Sequence, residues 1–400
     1  MRQTVRILNI FNHYLERGGE AEAIDAICES LSHVLDLERC EFFSSDWTGP
    51  TAPPKWKQAL WMIRNPESLR KLRACEDTFN SDAWLVHNVF PVGSAAIYPE
   101  AIRLRVPIIQ YIHNFRPFSV NGYLWAGDQL APGGLSKNYW EEVRASAWQN
   151  SRGKTAWLAF VLLLTHALGW WRSVRAWIAI SDFMREKFVS AGIPAQKIFT
   201  LRHFWRPKSK ESANDGQHYL FLGRLTEAKG VNVLLDAWQI LEHKHRSLTP
   251  KLVIGGNGPL RSAVVARTER MESVTYAGHL SDAAKTEALS KARAVVVPSI
   301  WWEALGLVVY EAYDYSRPVL AARSGGLPEI VIPSETGLLH DPGNATELAE
   351  QVMELEASAQ RWKEMGRRGR TWLQANANES DWHRRFCEIA QYAMKSSTPH

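Results

Sequence analysis

The 400-residue chain has few cysteines, and they follow no pattern that would pair them or bind a metal. Its four cysteines form no C-x-x-C pair, and no histidine spacing is typical of a zinc site. We therefore expect free thiols in a reducing, cytoplasmic compartment. The net charge of +5 is small, and no stretch has the pattern of a nucleic-acid reader. It is weak evidence for an anionic partner such as a phosphate ligand or an acidic lipid.

Long hydrophobic runs are also scarce. The first apolar segment begins at residue 5 with no leader pattern before it, so we expect no signal peptide. The most apolar stretch, residues 156–171 (AWLAFVLLLTHALGWW), is shorter than the ~20 residues that span a bilayer. Basic residues flank it on both sides. Three interpretations stay open: a buried helix, a helix that contacts a membrane surface through its tryptophans, and, least favoured because of its length, a spanning helix.

Short apolar runs alternate with helical patterns along most of the chain, which is typical of parallel sheets covered by helices on both faces. A polar, charged segment at 207–217 (PKSKESANDGQ) has the composition of a linker between two such series. The sequence thus predicts an α/β chain of two doubly wound domains facing a cleft, at 1–206 and 218–375. A C-terminal helix over 376–400 would pack back on the first domain.

The G-x-G-x-x-G fingerprint of dinucleotide-binding proteins is missing. The segment GGNGPL (255–260) has Arg261 in place of the third glycine, which argues against NAD. Gly18 and Gly19 lie between the first strand and a helix, so their backbone N–H groups would approach an anion at the helix start. An ordinary strand-to-helix turn has the same pattern, and both interpretations stay open.

Two cations follow the strand HYLFLG (218–223) in the segment GRLTEAKG. Arg224 and Lys229 lie five positions apart on one loop at the carboxyl end of that strand. Together they would clamp a diphosphate, the arginine through its forked guanidinium and the lysine as a point charge. The alternative is a pair of solvated surface cations.

Two glutamates stand eight positions apart in SIWWEALGLVVYEAY, which starts at residue 299. A helix is predicted to begin near Leu305, and the N–H groups of Leu305, Gly306 and Leu307 would meet a phosphate there. Glu303 would face a group beyond the phosphates. Glu311, ~9 Å along the helix from its start, would accept both hydroxyls of a ribose. Alternatively, Glu303 complements the helix dipole and Glu311 is solvated.

These segments together resemble the family 4 retaining glycosyltransferases. The resemblance rests on RLTEAKG, GGNGP, PSIWWEALGLVVYEA and PVLAARSGGLPEIV in the second half, and on the GGE turn, WLVHN, YIHNFRP and IAISDFMREKFVSAGIP in the first. The E-x7-E spacing of the family corresponds to Glu303 and Glu311. The resemblance implies a GT-B fold, in which two Rossmann-like domains share the ligand and the C-terminal one holds the donor.

The same resemblance implies roles for individual residues of the second half. Arg224 and Lys229 would bind the donor diphosphate. Glu311 would hold the ribose, and Glu303 would orient the hydroxyls of the donor sugar. The N–H groups at the start of the following helix would contact phosphate and sugar oxygens.

Three residues of the first half also receive roles. Gly18 and Gly19 would line the phosphate side of the donor from the other domain. His113, in YIHN at the end of a strand, matches the family histidine near the reacting sugar. A strand-end histidine with satisfied hydrogen bonds would occupy the same position.

The chain has no D-x-D motif, so we expect no metal and no other cofactor; cations and the helix dipole would stabilise the departing diphosphate. The implied function is retaining transfer of a hexosyl unit from a UDP- or GDP-sugar to a glycan or lipid-linked glycan in cell-surface polysaccharide synthesis. The enzyme would be cytoplasmic, with peripheral contact to the inner face of the membrane as one option. Two alternatives stay open: a non-catalytic nucleotide-sugar or polysaccharide-binding protein, and a GT-B nucleotide-sugar epimerase.

Overall fold

The computed structural model describes residues 5–15, 18–209 and 216–395. The chain divides into two compact units. The first extends to His203 and resumes at Glu379, and the second runs from Phe204 to Asn378. Part of the predicted linker at 207–217 lies outside the described residues.

The first unit contains a parallel sheet and a short hairpin. Its strands are β1 (Arg6–His13), β2 (Asp36–Phe43), β3 (Ala83–Val86), β4 (Ile108–Ile112), β5 (Trp125–Ala126), β6 (Gln129–Leu130), β7 (Val174–Ala179) and β8 (Ile198–Thr200). Six of them form a sheet in the order β2-β1-β3-β4-β7-β8, with every neighbouring pair parallel. The antiparallel pair β5-β6 is separate. β3 and β4 are buried throughout, which agrees with their mostly apolar sequences AWLV and IIQYI.

Helices connect these strands. They are α1 (Gly19–Ser32), α2 (Lys55–Ile63), α3 (Pro66–Phe79), α4 (Ile97–Leu104), α5 (Trp140–Arg144), α6 (Arg152–Ala167) and α7 (Asp182–Ser190). Side-chain caps set several starts: Asn65, Ser151 and Ser181 each accept a hydrogen bond from a first-turn N–H of α3, α6 and α7. Such caps satisfy amide groups that have no carbonyl partner inside the helix.

The second unit is built on six parallel strands. They are β9 (His218–Leu222), β10 (Leu252–Gly255), β11 (Val274–Gly278), β12 (Ala292–Val297), β13 (Val319–Ala322) and β14 (Gly337–His340). Its helices are α8 (Val231–His245), α9 (Arg261–Thr268), α10 (Asp282–Lys291), α11 (Leu307–Asp314), α12 (Ala345–Glu356) and α13 (Ala359–Asn376). The strand order β11-β10-β9-β12-β13-β14 is that of a Rossmann sheet.

The last helix, α14 (Glu379–Lys395), belongs to the first unit. It packs against β7, β3 and β4. The Ser30 hydroxyl donates to Oε1 of Glu379 at 2.5 Å, and the Phe199 and Tyr392 rings lie 5.1 Å apart. The chain thus returns from the second unit to the sheet on which it began.

Each sheet has a point at which the strand order reverses. In the second unit it lies between β9 and β12, and in the first between β1 and β3. The connections leave such a point toward opposite sides of the sheet, so a crevice opens at the carboxyl ends of the two strands, where doubly wound sheets bind ligands.

One predicted boundary is wrong by two residues. Helix α11 begins at Leu307, whereas the sequence predicted a start near Leu305. Gly306 has φ +93°, which is left-handed and ends any right-handed helix there. Leu305 and Gly306 therefore belong to the loop, and Glu311 lies about one turn into the helix.

Most of the apolar stretch at 156–171 forms a helix with one buried and one exposed face, and contact with a membrane stays a prediction. Leu158, Val161 and Leu162 of α6 are fully buried, whereas Phe160 and Leu163 on another face are 48% and 41% exposed. No helix within the described residues is both long and apolar enough to cross a membrane.

Candidate functional site

The reversal point of the second sheet carries a buried ion pair. Lys229 lies in the loop after β9 and Glu303 in the loop after β12. Nζ of Lys229 is 2.5 Å from Oε1 of Glu303, and the Ser299 hydroxyl donates to the same oxygen at 2.6 Å. The Glu303 side chain is 6% exposed and that of Lys229 29% exposed. The lysine therefore keeps access to solvent, while the carboxylate is almost enclosed.

Two opposing effects set the charge of Glu303. Burial raises the pKa of its carboxyl, but the Lys229 ammonium and the hydrogen bond from Ser299 lower the pKa by more, so it lies below its ordinary value. Glu303 is thus ionised at neutral pH and can accept hydrogen bonds from hydroxyl groups but cannot donate one. The Trp301 ring, 5.0 Å from Nζ of Lys229, adds a cation–π contact.

A turn from the neighbouring strand braces the Glu303 backbone. Gly325, in the loop after β13, has φ +61°, and a Cβ built on it would lie 2.1 Å from the Glu303 carbonyl oxygen. Gly326 donates its N–H to that oxygen at 2.8 Å, and the Ser324 hydroxyl donates to the Trp301 carbonyl at 2.5 Å. The segment ARSGG thus holds the Glu303 loop by close backbone contact, which a side chain at position 325 would prevent.

Main-chain hydrogen bonds join the loops at this edge of the sheet. Ile300 donates to the Ala228 carbonyl at 3.0 Å, which ties the loop after β12 to the loop after β9. Leu225 donates to Asn257 at 2.9 Å, and Leu260 donates back to Leu225 at 3.0 Å. The GGNGPL segment therefore supports the loop that carries both predicted cations and is not itself a dinucleotide fingerprint.

The remaining predicted donor residues lie around this edge. Arg224 is exposed at the start of the loop after β9. Glu311 is on α11, 19% exposed, and its Oε1 lies 2.7 Å from Nζ of Lys285 on α10. It is thus ion-paired and mostly buried. Leu305 is buried in the loop, and Leu307 is the first residue of α11, where first-turn amides have no carbonyl one turn earlier to bond.

In the first unit, a chain of hydrogen bonds ends at His113. Nε2 of His113 lies 2.9 Å from Nδ1 of His87, and Nε2 of His87 lies 2.9 Å from Oδ1 of Asn9. An amide oxygen only accepts, so His87 carries its proton on Nε2 and accepts at Nδ1. His113 must then donate from Nε2, and its Nδ1 holds a lone pair. That Nδ1 is buried and has no hydrogen-bond partner among the described residues.

These histidines are neutral. Burial lowers the pKa of His87 to about 3 and that of His203 to about 4, and burial together with the two neighbouring imidazoles lowers the pKa of His113 well below its ordinary value. The His113 ring is stacked on Tyr111 at 4.7 Å and on His203 at 5.3 Å. The arrangement fixes a neutral His113 whose Nδ1 can accept a hydrogen bond from a hydroxyl.

The predicted glycine turn lies beside His113. Gly18 precedes α1, Gly19 is its first residue, and nothing lies within 4 Å of a Cβ built on either. The carboxylate of Glu20, which follows, accepts from Asn114 at 2.7 Å, and Asn114 is the residue after His113. Burial raises the Glu20 pKa to about 7, an effect that Arg116, Asn114 and Tyr14 partly offset.

Sequence reasoning assigned no role to several residues of both sites. They are Asn9, Glu20, His87, Asn114, Ser299, Lys285 and Gly325. Five of them stand inside quoted motifs, so a local signal existed for Glu20, His87, Asn114, Ser299 and Gly325. Asn9 is 78 positions from its partner and has no local signal.

Solved structures confirm the predicted fold class, which is GT-B. Sucrose-phosphate synthase from Thermosynechococcus elongatus superposes with a TM-score of 0.71 at 18% identity, covering 98% of this chain and 100% of that one. Anabaena HepE in complex with UDP superposes with a TM-score of 0.66 at 15% identity, covering 97% and 100%.

Sequence comparison defines the family. Residues 204–372 match the family described as glycosyl transferases group 1. The glycogen synthase of Mycobacterium tuberculosis is 33% identical over 379 residues, which are 89% of this chain and 85% of that enzyme. The chain belongs to the group 1 glycosyltransferases. The prediction of a glycosyltransferase is confirmed, and the non-catalytic alternative is set aside.

Proposed function

We propose that this enzyme transfers a hexosyl unit from a UDP- or GDP-sugar, with retention at the anomeric carbon, as family 4 glycosyltransferases do. The acceptor would be a glycan or lipid-linked glycan in cell-surface polysaccharide synthesis. The buried Lys229–Glu303 pair at the reversal point of the second sheet carries the proposal, because it sets a cation and a hydrogen-bond acceptor side by side where such sheets bind ligands. The Anabaena relative was solved with UDP and with UDP-glucose, which supports a donor of this class.

The departing diphosphate would be stabilised by fixed positive charge. Lys229 is held in place by Glu303 and keeps an exposed side, Arg224 lies exposed on the same loop, and α11 begins close by in sequence. The helix start contributes roughly half a positive charge and free amide groups. Charge that is already oriented stabilises a developing anion without reorganising. In this proposal these groups would stabilise the leaving group without a metal ion.

Glu303 would orient the donor sugar. Its carboxylate is ionised and uses Oε1 for Lys229 and Ser299, and a carboxylate has about four acceptor positions, so it can also accept from sugar hydroxyls. The strong hydrogen bonds that a carboxylate accepts would fix the anomeric carbon relative to the phosphate. Glu303 is a binding group in this account and not a base.

Glu311 would bind the ribose while it keeps its contact with Lys285. Its Oε1 is bonded to Lys285, and the carboxylate has four acceptor positions, so two ribose hydroxyls can be accommodated while the lysine stays. Lys285 then neutralises a carboxylate that would otherwise face the donor phosphates.

His113 would act from the first unit. As a neutral ring with a lone pair on Nδ1, it would accept a hydrogen bond from a hydroxyl of the reacting sugar or acceptor. Gly18 and Gly19 would admit a phosphate oxygen to the start of α1. A lipid-linked acceptor implies a cytoplasmic enzyme that works against the inner membrane face.

The test is a donor panel. Purified protein is incubated with UDP-, GDP- and ADP-sugars and a crude lipid acceptor, with and without EDTA, and nucleotide release is measured by mass spectrometry. We expect UDP or GDP release that depends on the acceptor, is unaffected by EDTA, and yields a product whose anomeric configuration by NMR equals that of the donor. An inverted anomeric centre, or loss of turnover with EDTA, would contradict the proposal.

The epimerase alternative is separated by omitting the acceptor. An epimerase changes the sugar of the donor with no acceptor present, whereas a transferase leaves it intact apart from slow hydrolysis. We expect the donor sugar to be recovered unchanged.

A further inference from the structure

Two neighbouring helices of the first unit expose apolar side chains where polar ones are usual. On α2, Trp56 and Leu60 are 67% and 53% exposed and lie four positions apart, which places them on one face. On α6, Phe160 and Leu163 are 48% and 41% exposed, and Leu168 just beyond the helix is 55% exposed. A helix in water normally places charged residues on such a face.

The two helices form one surface. Nε1 of Trp157 on α6 donates to the carbonyl of Ala59 on α2 at 2.9 Å. Leu60 follows Ala59 directly, and the Phe160 ring lies 5.4 Å from that of Trp157. The exposed side chains of both helices therefore border the same region, which we call the α2–α6 face.

The charges on the two helices that form the α2–α6 face have one sign. Segments 55–64 and 152–172 contain no aspartate or glutamate. Their cations are Lys55, Lys57, Arg64, Arg152, Lys154 and Arg172. The adjoining α5 adds Trp140, which is 64% exposed, and one exposed charge of each sign, Glu141 and Arg144. The two helices thus combine exposed apolar side chains with charges that are all cationic.

We propose that the α2–α6 face docks on an anionic lipid bilayer surface. Exposed tryptophan and leucine side chains would enter the headgroup region while the flanking cations contact anionic headgroups, the pattern of interfacial helices. A protein partner would need acidic charge around an apolar centre, whereas a bilayer with acidic lipids supplies both over an extended plane. The inference rests on the proposed function, since a lipid-linked acceptor is met at such a plane.

The test is sedimentation of the full chain with vesicles. One set contains equal parts of phosphatidylglycerol and phosphatidylcholine, and the other phosphatidylcholine alone. We expect binding to the anionic vesicles, weaker by about fivefold for each cation neutralised, so that Lys55→Gln with Lys154→Gln binds roughly 25-fold more weakly. Trp56→Ser with Leu60→Ser, and Phe160→Ser with Leu163→Ser, should each lower binding at least about tenfold.

A matched control lies in the second unit. Leu248 is 82% exposed, and Leu248→Ser should leave vesicle binding unchanged. All variants replace exposed side chains, and their UDP affinity should equal that of the wild type, which separates docking from the donor site. Wild-type protein that does not sediment with anionic vesicles, or serine variants that bind as well as the wild type, would overturn the proposal. So would a dimer, measured by light scattering, that dissociates in the Phe160→Ser/Leu163→Ser variant, because a second copy would then cover the face.

Discussion

Both sheets have a buried carboxyl near the carboxyl ends of their strands, but the two carboxyls differ in the direction of their pKa shift. In the second unit a lysine in direct contact keeps Glu303 ionised despite burial. In the first unit Glu20 occupies a comparable place, beside the start of a helix that follows a strand, yet burial outweighs Arg116 and its pKa rises to about 7. The histidines beside it are neutral. Topology therefore fixes where a site lies, and one contacting cation decides whether it is charged.

Removing the contacting carboxylate should have the largest effect. We expect Glu303→Ala to lower transfer about 1,000-fold or more, because the donor sugar loses its orienting group and Lys229 its partner. Affinity for UDP, measured by calorimetry, should change less than about threefold. Asp236→Ala, which breaks an exposed ion pair with Arg267 in the same unit, is the control and should leave transfer unchanged. Full turnover by Glu303→Ala would show that the site assignment is wrong.

Substitutions of His113 and His87 in the first unit should lower transfer by different amounts. His113→Phe removes the acceptor nitrogen and should lower transfer roughly 100-fold. His87→Phe keeps His113 but removes the hydrogen bond that fixes its tautomer, and should lower transfer by about tenfold. Nitrogen NMR should show the proton of His113 on Nε2 in the wild type and a tautomer mixture in His87→Phe.

The control for this pair is another buried histidine, His340 in β14, whose pKa burial also lowers, to about 4. His340→Phe should leave transfer unchanged once folding is verified. A wild-type spectrum with the His113 proton on Nδ1 would contradict the hydrogen-bond chain from Asn9.

Two glycines with positive φ in the second unit distinguish two effects of a substitution. One effect is the loss of backbone support for the Glu303 loop, and the other is backbone strain alone. Gly325→Ala places a Cβ against the Glu303 carbonyl, so transfer should fall between about 10- and 100-fold along with stability. Gly343 has φ +85° but open space around it, so Gly343→Ala should cost only the strain of roughly 1–2 kcal/mol and spare transfer. Thermal unfolding and turnover are measured on both variants. Equal transfer rates in Gly325→Ala and Gly343→Ala would contradict a role of Gly325 in supporting the Glu303 loop.

Loss of Glu311 should act on binding and leave chemistry largely intact. Glu311→Ala should weaken UDP affinity by roughly 1–3 kcal/mol, the cost of leaving polar groups unpaired. Lys285→Ala keeps the carboxylate, so UDP affinity should fall less than in Glu311→Ala. A Glu311→Ala variant with unchanged UDP affinity would place the ribose elsewhere.

The two carboxyls should also differ in how pH affects stability. Glu20 has a raised pKa, so its ionised form destabilises the fold at pH 8, and this cost vanishes as pH falls from about 7 to the unfolded value near 4.5. Glu20→Gln should therefore unfold at a higher temperature than the wild type at pH 8, with the gap closing by pH 5. Glu303 has a lowered pKa, so its stabilisation persists above about pH 4.5, and Glu303→Gln should be less stable than the wild type at both values. If Glu20→Gln and Glu303→Gln changed the melting temperature in the same direction at both pH values, the predicted difference between the two carboxyls would be wrong.

Much of the fold could be read from local signals. Buried parallel strands such as β4 and β12 appear as apolar runs, and the strand–helix alternation sets the class. The hairpin β5-β6 was missed because strands of two residues leave no periodic pattern. The start of α11 was placed too early because the loop residues before Gly306 are as apolar as the helix.

The positions of Lys229 and Glu303 after strand ends could be predicted from the sequence, and their roles stay predictions. The site was not predictable where the partner is distant in sequence. Asn9 and His87 meet only because β1 and β3 pair, and Gly325 meets Glu303 only because the loops after β12 and β13 pack together. The pKa shifts likewise depend on burial, which no local pattern reveals.

A crystal structure with UDP bound tests the central claim most directly. The account predicts a diphosphate within ~3 Å of Lys229 and of the first amides of α11, with the ribose hydroxyls on Glu311. A nucleotide that leaves the start of α11 unoccupied and binds elsewhere on the chain would contradict it.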